Sequence, residues 1–293
     1  MIIAIFGINI EPAFTSDLAK LFSLLKDRKI NIYIYEPFFV FLQSTYSLKP
    51  EVAGLFTSGK DLPDDVEFLF SIGGDGTFLQ SVLTVKNKSI PAVGINLGRL
   101  GFLSDISRDD MHEAIDQILN QQFQIEERSV LCLKEKGSLF GDFNYAINEI
   151  AVTKLDTSSM INIHTYLNND YLSTYWADGL IISTPTGSTA YSMSVGGPIL
   201  TPDSKNLVIT PIAPHNLTVR PIVVPENVSI RLHVEGRGSQ FLASLDSRSE
   251  AIHFPGELHI SKADFHVKTL KLPGHGFFNT LRNKLMWGAD RRN

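Results

Sequence analysis

Two glycine-bearing segments hold the residues of this chain best suited to chemistry. The first is Ser71-Ile72-Gly73-Gly74-Asp75-Gly76-Thr77, directly after the apolar run Val66 to Phe70. A strand that ends in glycines leaves backbone N–H groups exposed, and a helix starting there adds its own unpaired amides, which suits phosphate. The segment lacks the Gly-Lys-Ser/Thr of a P-loop. Asp75 must then supply something else: a base for an attacking hydroxyl, or a contact to a divalent ion. The competing reading is an ordinary Asp-Gly turn in which Asp75 caps a helix; three glycines around one aspartate at a strand end weigh against it. The second segment runs from Asp178-Gly179 to Gly196-Gly197-Pro198. Between them Ser183, Thr184, Thr186, Ser188, Thr189, Tyr191, Ser192 and Ser194 crowd together. Hydroxyls and amides at that density can wrap a base, a ribose and phosphates without bulk, or they can be solvated coil. A third candidate is Asn148-Glu149, followed by Ile150-Ala151-Val152. A carboxylate among apolar residues needs a partner or a ligand; a surface turn fits these residues equally well.

The elements that must position these residues follow from periodicity. Up to about residue 103, strand and helix signals alternate. Ile2–Phe6, Ile30–Tyr35, Val66–Ile72 and Ile90–Ile95 are short apolar or β-branched runs. Asp17–Lys26, with Leu18, Leu21, Phe22 and Leu25 on one face and Ser16 available as a cap, reads as an amphipathic helix, and a second helix is expected near Phe78–Val85. This pattern predicts a parallel sheet covered on both faces, with ligands at the carboxyl ends of its strands. Gly73–Gly76 and Asn96–Gly101 fall there. Ser107–Gln122 predicts one more helix. After it, Val130–Leu133, Tyr145–Val152, Ile161–Leu167, Ile181–Ser183, Leu207–Pro211, Val228–Val234 and Phe241–Leu245 read as short strands separated by Asn, Asp, Gly and Pro. Thr184-Pro185-Thr186-Gly187 predicts a turn into a helix at about Ser188. Phe277–Trp287 reads as a helix. The division expected is an α/β nucleotide-binding domain over 1–103 and a β-rich domain over 104–267, with 268–293 packing back on the first.

Composition narrows the classes. The chain has 293 residues, 43% hydrophobic and 19% charged, values of a globular protein rather than a disordered one. A net charge of −5 argues against nucleic acid as a partner. One asymmetry stands out: Lys268, Lys271, Arg282, Lys284, Arg291 and Arg292 face Asp290 alone near the end. That is either a solvated terminus or a patch facing anionic ligands or a subunit partner. The single cysteine, Cys132, excludes an intrachain disulfide and reads as a buried apolar residue. The eight histidines show no HExxH or paired-ligand spacing, so zinc is not expected. No Gly-x-Ser-x-Gly elbow and no Gly-x-Gly-x-x-Gly is present, against hydrolase and hydride-transfer chemistry. The N-terminus reads as a buried strand rather than a signal peptide, and no apolar run is long enough for a membrane span, so a cytoplasmic location is expected.

Taken together, the motifs resemble those of a known family. Gly73-Gly74-Asp75-Gly76-Thr77 is similar to a signature shared by NAD kinases, diacylglycerol-type lipid kinases and, more loosely, 6-phosphofructokinases. Gly94-Ile95-Asn96-Leu97-Gly98-Arg99-Leu100-Gly101-Phe102-Leu103, Asn148-Glu149, the segment Asp178 to Pro198, His215-Asn216-Leu217-Thr218-Val219-Arg220-Pro221 and Phe278-Asn279-Thr280-Leu281-Arg282-Asn283-Lys284-Leu285 resemble NAD kinase motifs in the family's order. The resemblance covers roughly residues 66 to 288. It implies an α/β domain paired with an all-β domain and transfer of the γ-phosphoryl group of ATP to the 2′-hydroxyl of the adenosine ribose of NAD, giving NADP. It further implies Asp75 at the catalytic position. Gly73, Gly74, Gly76 and Thr77 would hold donor phosphate. Gly76, Phe102, Asn148, Glu149, Asp178, Thr186, Thr189, Ala190, Tyr191 and Ser194 would hold NAD, with Asp246 and Arg220 as further candidates. Mg²⁺ or another divalent metal is expected with the donor rather than in a fixed protein site. ATP or polyphosphate is the implied donor, and a homodimer or homotetramer, with second domains helping to build neighbouring sites, the implied assembly. Relatives carry Asp-Gly where this chain has Asp246-Ser247. A lipid or sugar kinase sharing the glycine signature, and a silent NAD(P) sensor on the same fold, are the alternatives; the Ser/Thr-rich segment opposes the former and the intact Asp75 the latter.

Overall fold

In a computed structural model of the chain, residues 1–98, 100–135, 139–155 and 159–288 are described. Arg99 of the motif above, and Asp290, Arg291 and Arg292 of the basic tail, lie outside these residues. The chain divides into two compact units, one formed by Met1–Glu127 together with the chain from Val267 onward, the other by Arg128–His266. Residues 104–127, expected in the second domain, thus belong to the first unit.

The first unit is built on strands β1 (Ile2–Gly7), β2 (Asn31–Tyr35), β3 (Gly54–Phe56), β4 (Phe68–Ile72), β5 (Ala92–Asn96), β6 (Ile106–Ser107), β7 (Gln124–Arg128) and β20 (Val267–Lys271), in the order β3-β2-β1-β4-β5-β20-β7, with β6 beside β5. The pairings from β3 to β20 are parallel. β4 and β5 are buried at every position, as a sheet covered on both faces requires. Helices α1 (Thr15–Asp27), α2 (Glu36–Tyr46), α3 (Asp75–Val85), α4 (Met111–Leu119) and α6 (Phe277–Leu285) complete the unit. Leu18, Leu21, Phe22 and Leu25 line the buried face of α1. Ser16 does not cap it. A 3₁₀ turn over Pro12–Phe14 precedes it and the helix starts two residues earlier, with Phe14 at the cap position. α4 is shorter than the pattern suggested, because Ser107 pairs with Asn96 in the sheet.

The second unit contains two six-stranded antiparallel sheets. One has the order β15 (Ile222–Pro225), β14 (Asn206–Ile212), β13 (Gly179–Ser183), β10 (Glu149–Lys154), β17 (Gln240–Leu245), β18 (Arg248–His253). The other has β12 (Asp170–Ala177), β11 (Ile161–Leu167), β16 (Ile230–Glu235), β19 (Gly256–Lys262), β8 (Leu131–Glu135), β9 (Tyr145–Ala146). Their inward residues, among them Ile150, Ile163, Leu180, Leu232, Phe241 and Leu258, form one core. The expected strand Tyr145–Val152 is two strands, interrupted at Ile147-Asn148, and that break creates a candidate ligand contact. The expected helix at Ser188 is a 3₁₀ turn over Thr186–Thr189 followed by a single turn, α5 (Tyr191–Ser194). Among the described residues no helix is long and apolar enough to cross a membrane.

Candidate active site

In the first unit, β4 delivers Asp75 to the carboxyl end of the sheet as the first residue of α3, two residues into the helix-initiating turn after Gly73. No side chain caps α3; Gly74 occupies the cap position, and a Cβ added at Gly74 or Gly76 would meet nothing within 4 Å. The amides of that first turn have no side-chain cap, an arrangement suited to anions. Asp75 does not cap its own helix. Its carboxylate turns to the loop after β5, where Oδ2 accepts the Phe102 amide at 2.9 Å and Oδ1 accepts those of Leu103 and Ser104 at 2.9 and 3.0 Å. The loop can approach because residue 101 is glycine: a Cβ there would lie 2.0 Å from Asp75 Oδ1. Lys284 of α6 also reaches Asp75, with Nζ 3.5 Å from Oδ2 and 4.9 Å from the Phe102 ring centroid. Phe102 packs on Phe277 at 6.0 Å between ring centroids.

In the second unit, Asn148 and Glu149 sit where the chain leaves β9 for β10, and Asp246 holds that turn. Its Oδ2 accepts the Ile147 amide at 3.0 Å, and its Oδ1 accepts those of Asn148 and Glu149 at 2.8 and 3.2 Å. The Asp246 amide returns a bond to the Glu149 carbonyl at 3.0 Å. Asp246-Ser247 forms the two-residue turn between β17 and β18. The positive φ falls on Asp246, at 52°, not on residue 247, so serine fits at 247 without strain. Burial raises the Asp246 carboxyl against the pull of the three amides and Arg248. Glu149 is pushed up to about 8, first by burial and then by the charge of Asp246, while the Tyr191 amide pulls the other way. Its Oε2 is buried with no hydrogen-bond partner among the described atoms, and so is Thr186 Oγ1. Two buried polar atoms left unsatisfied close to one another in the fold mark a place where a ligand can complete the bonding.

The hydroxyl-rich segment divides into two groups. Thr184 Oγ1 bonds the Ile147 carbonyl and accepts the Gly187 amide. Ser183 donates to the Thr184 carbonyl, Ser188 bonds Pro185 and Leu200, and Ser192 pairs with Thr210. These four shape the loop. Thr189 Oγ1 also donates within the loop, to the Thr186 carbonyl at 3.2 Å, so Thr186, Tyr191 and Ser194 are the hydroxyls left for a ligand. Gly187 is required for close approach here too, because a Cβ would lie 2.0 Å from the Asn148 carbonyl oxygen.

Asp178 and Arg220 are not brought to this cluster within one chain. Asp178 precedes β13, whereas Thr184 follows it, and the five residues between them span about 17 Å. Asp178 instead pairs with Lys154, at 2.6 Å. Arg220 is exposed on the loop after β14, where its Nη1 donates to the Leu217 and Val219 carbonyls.

Comparison with known proteins decides the family. Residues 20–123 match the ATP-NAD kinase N-terminal domain and residues 147–272 the ATP-NAD kinase C-terminal domain. The chain belongs to the ATP-NAD kinase family. It is 47% identical to the NAD kinase of Flavobacterium psychrophilum over 295 residues, covering all of both chains. It is 47% identical to that of Bacteroides fragilis over 289 residues, 99% of each. Its fold is similar to that of yeast NADH kinase, solved with NADH, at a TM-score of 0.84 and 22% identity, covering 99% of this chain and 89% of that one. An Archaeoglobus fulgidus NAD kinase, solved with ATP, gives a TM-score of 0.74 and 22% identity, with 98% and 99% covered. Within this family member, three residues that the sequence placed only inside motifs, with no role of their own, contribute to the site: Lys284, Gly101 and Gly187. The glycines looked like loop residues until the carboxylate and carbonyl behind them were placed. The helical spacing of Phe277, Leu281 and Lys284 was the available signal for the lysine.

Proposed function

We propose that the chain transfers the γ-phosphoryl group of ATP to the 2′-hydroxyl of the adenosine ribose of NAD, producing NADP, with Asp75 as the group at that hydroxyl. The observation that carries this reading is the fixing of Asp75 by three backbone amides beside the uncapped start of α3. Phosphoryl transfer asks mainly for positioning and charge neutralisation. A carboxylate is too weak a base to strip a ribose hydroxyl beforehand, so Asp75 orients the oxygen and takes the proton as the new bond forms. Gly73, Gly74, Gly76 and Thr77, at the start of α3, receive donor phosphate. Phe102 packs beside the nucleotide, and Asn148, Glu149, Thr186, Thr189, Ala190, Tyr191 and Ser194 recognise NAD.

Mg²⁺ fits this reading as an ion carried by the donor. Magnesium keeps waters and takes few protein ligands beside substrate phosphates. When bound it would neutralise donor phosphate charge. The implied homodimer or homotetramer gives the Asp178 end of β13 a role: a neighbouring copy can supply what lies a strand's length from Glu149 in its own chain. The deciding experiment is a steady-state assay crossing NAD and NADH with ATP and polyphosphate, all with Mg²⁺, alongside sedimentation of the enzyme. NADP formed from NAD and ATP is the expected result. Tight dinucleotide binding without turnover under every donor would replace the kinase reading with that of a sensor.

A further inference from the structure

A carboxylate offers about four lone-pair sites. Three of those on Asp75 are taken by the amides of Phe102, Leu103 and Ser104, at 2.9 to 3.0 Å. Among the described residues the remaining partner is Lys284, whose Nζ stands 3.5 Å from Oδ2. The acceptor hydroxyl needs that same position to reach Asp75. The backbone amides belong to a packed loop and cannot be withdrawn cheaply. The ammonium contact is long for a charge-assisted bond, and both side chains are partly solvated, at 36% and 29% exposed. Lys284 is therefore the partner that leaves.

Its place is not accidental to the helix. Phe277, Thr280, Leu281 and Lys284 share one face of α6; Thr280 and Leu281 are buried, and Phe277 packs on Phe102. A lysine in the last turn also suits the helix carbonyls. Once displaced, its ammonium stands beside the first residue of α3, a helix start that no side chain caps.

We propose that Lys284 is an exchangeable counter-ion: it holds the acceptor site of Asp75 in the free enzyme, yields it to the ribose hydroxyl, and then pairs with the donor γ-phosphate. This rests on the kinase reading above. In the transfer itself the 2′-oxygen forms its bond to the γ-phosphorus as the bond from that phosphorus to the β,γ-bridging oxygen breaks. ADP leaves with that electron pair, and Asp75 takes the hydroxyl proton. Lys284 supplies charge and position and exchanges no proton.

The test uses the full chain with Lys284→Met and Lys284→Arg. For Lys284→Met we expect kcat to fall about 10²-fold and KM for ATP to rise. Calorimetric NAD affinity, measured without ATP, should be unchanged or tighter because a competitor for Asp75 has gone. Lys284→Arg should recover part of kcat. Wild-type turnover by Lys284→Met, or weaker NAD binding in step with lost turnover, overturns the exchange; the latter would mean that Lys284 merely shapes the site. A second readout does not need turnover. Lysines are labelled by reductive ¹³C-methylation, which keeps their charge, and the Lys284 signal is identified by its absence from Lys284→Arg. It should move on adding NAD and again on adding a non-hydrolysable ATP analogue with Mg²⁺. A signal that stays still on both additions overturns the proposal. A wild-type protein that forms no NADP while its Lys284 signal moves overturns the kinase reading alone.

Discussion

Replacing Glu149 with glutamine tests the electrostatics of the second unit most directly. In the folded chain this carboxyl is pushed up to about 8 from an ordinary 4.5, by burial first and the neighbouring Asp246 second. The folded state therefore keeps a proton that the unfolded chain gives up. The stability this provides is fully present below about 4.5 and is lost as pH rises through 8. At about 1.4 kcal/mol per pH unit, the group removes about 3.5 kcal/mol of folding stability between pH 5 and pH 8. Glutamine keeps the shape and cannot ionise. Urea unfolding of both proteins at half-unit steps over that range gives two stability curves, and subtracting one from the other cancels every titration that they share. The difference should climb in favour of the variant by about that amount as the solution is made alkaline. Parallel curves would refute the reasoning, since they would mean that Glu149 finds water or a partner in the folded chain and ionises normally.

Other perturbations follow from the same contacts. Asp75→Asn should lower turnover about 10² to 10⁴-fold while calorimetric NAD affinity stays nearly intact; unchanged turnover would remove Asp75 from the chemistry. Gly101→Ala places a methyl 2.0 Å from the Asp75 carboxylate, and a displacement of about 1 Å at the reacting group is worth about 10²-fold in kcat, which steady-state rates will show. Gly187→Ala presses on the Asn148 carbonyl; KM for NAD should rise and stability fall by about 1–3 kcal/mol, the usual cost of overpacking. Asp246→Ala strips the acceptor from three amides at residues 147 to 149, which should cost about 1–3 kcal/mol in chemical denaturation.

Much of this was legible in the residues because apolar periodicity reports burial directly. β4 and β5 read as apolar runs and are buried on both faces, and Ile161–Leu167, read as a short strand between polar breakers, has those same bounds. α2 went unread: Phe38, Phe39 and Phe41 look like strand residues, and only packing on the sheet makes them helical. The limit near residue 103 was placed too early because Ser107 and Gln124–Arg128 join the first sheet through pairings that local sequence does not encode. The glycine turn and Asp75 were visible as a motif. The division of the hydroxyls into those bonded inside the loop and those left free depends on partners such as Leu200 and Thr210, far along the chain.

The first sheet is closed by a strand that the ribosome makes late. β20 lies between β5 and β7 and brings α6, with its lysine, after it. While the chain is being made, the antiparallel unit can gather its own core, but the parallel unit must wait with β5 and β7 unjoined. Those bare edges invite pairing with other chains. A nascent or truncated product ending before Val267 would thus be both inert and sticky, and the interval before those last turns emerge is when a chaperone would matter most.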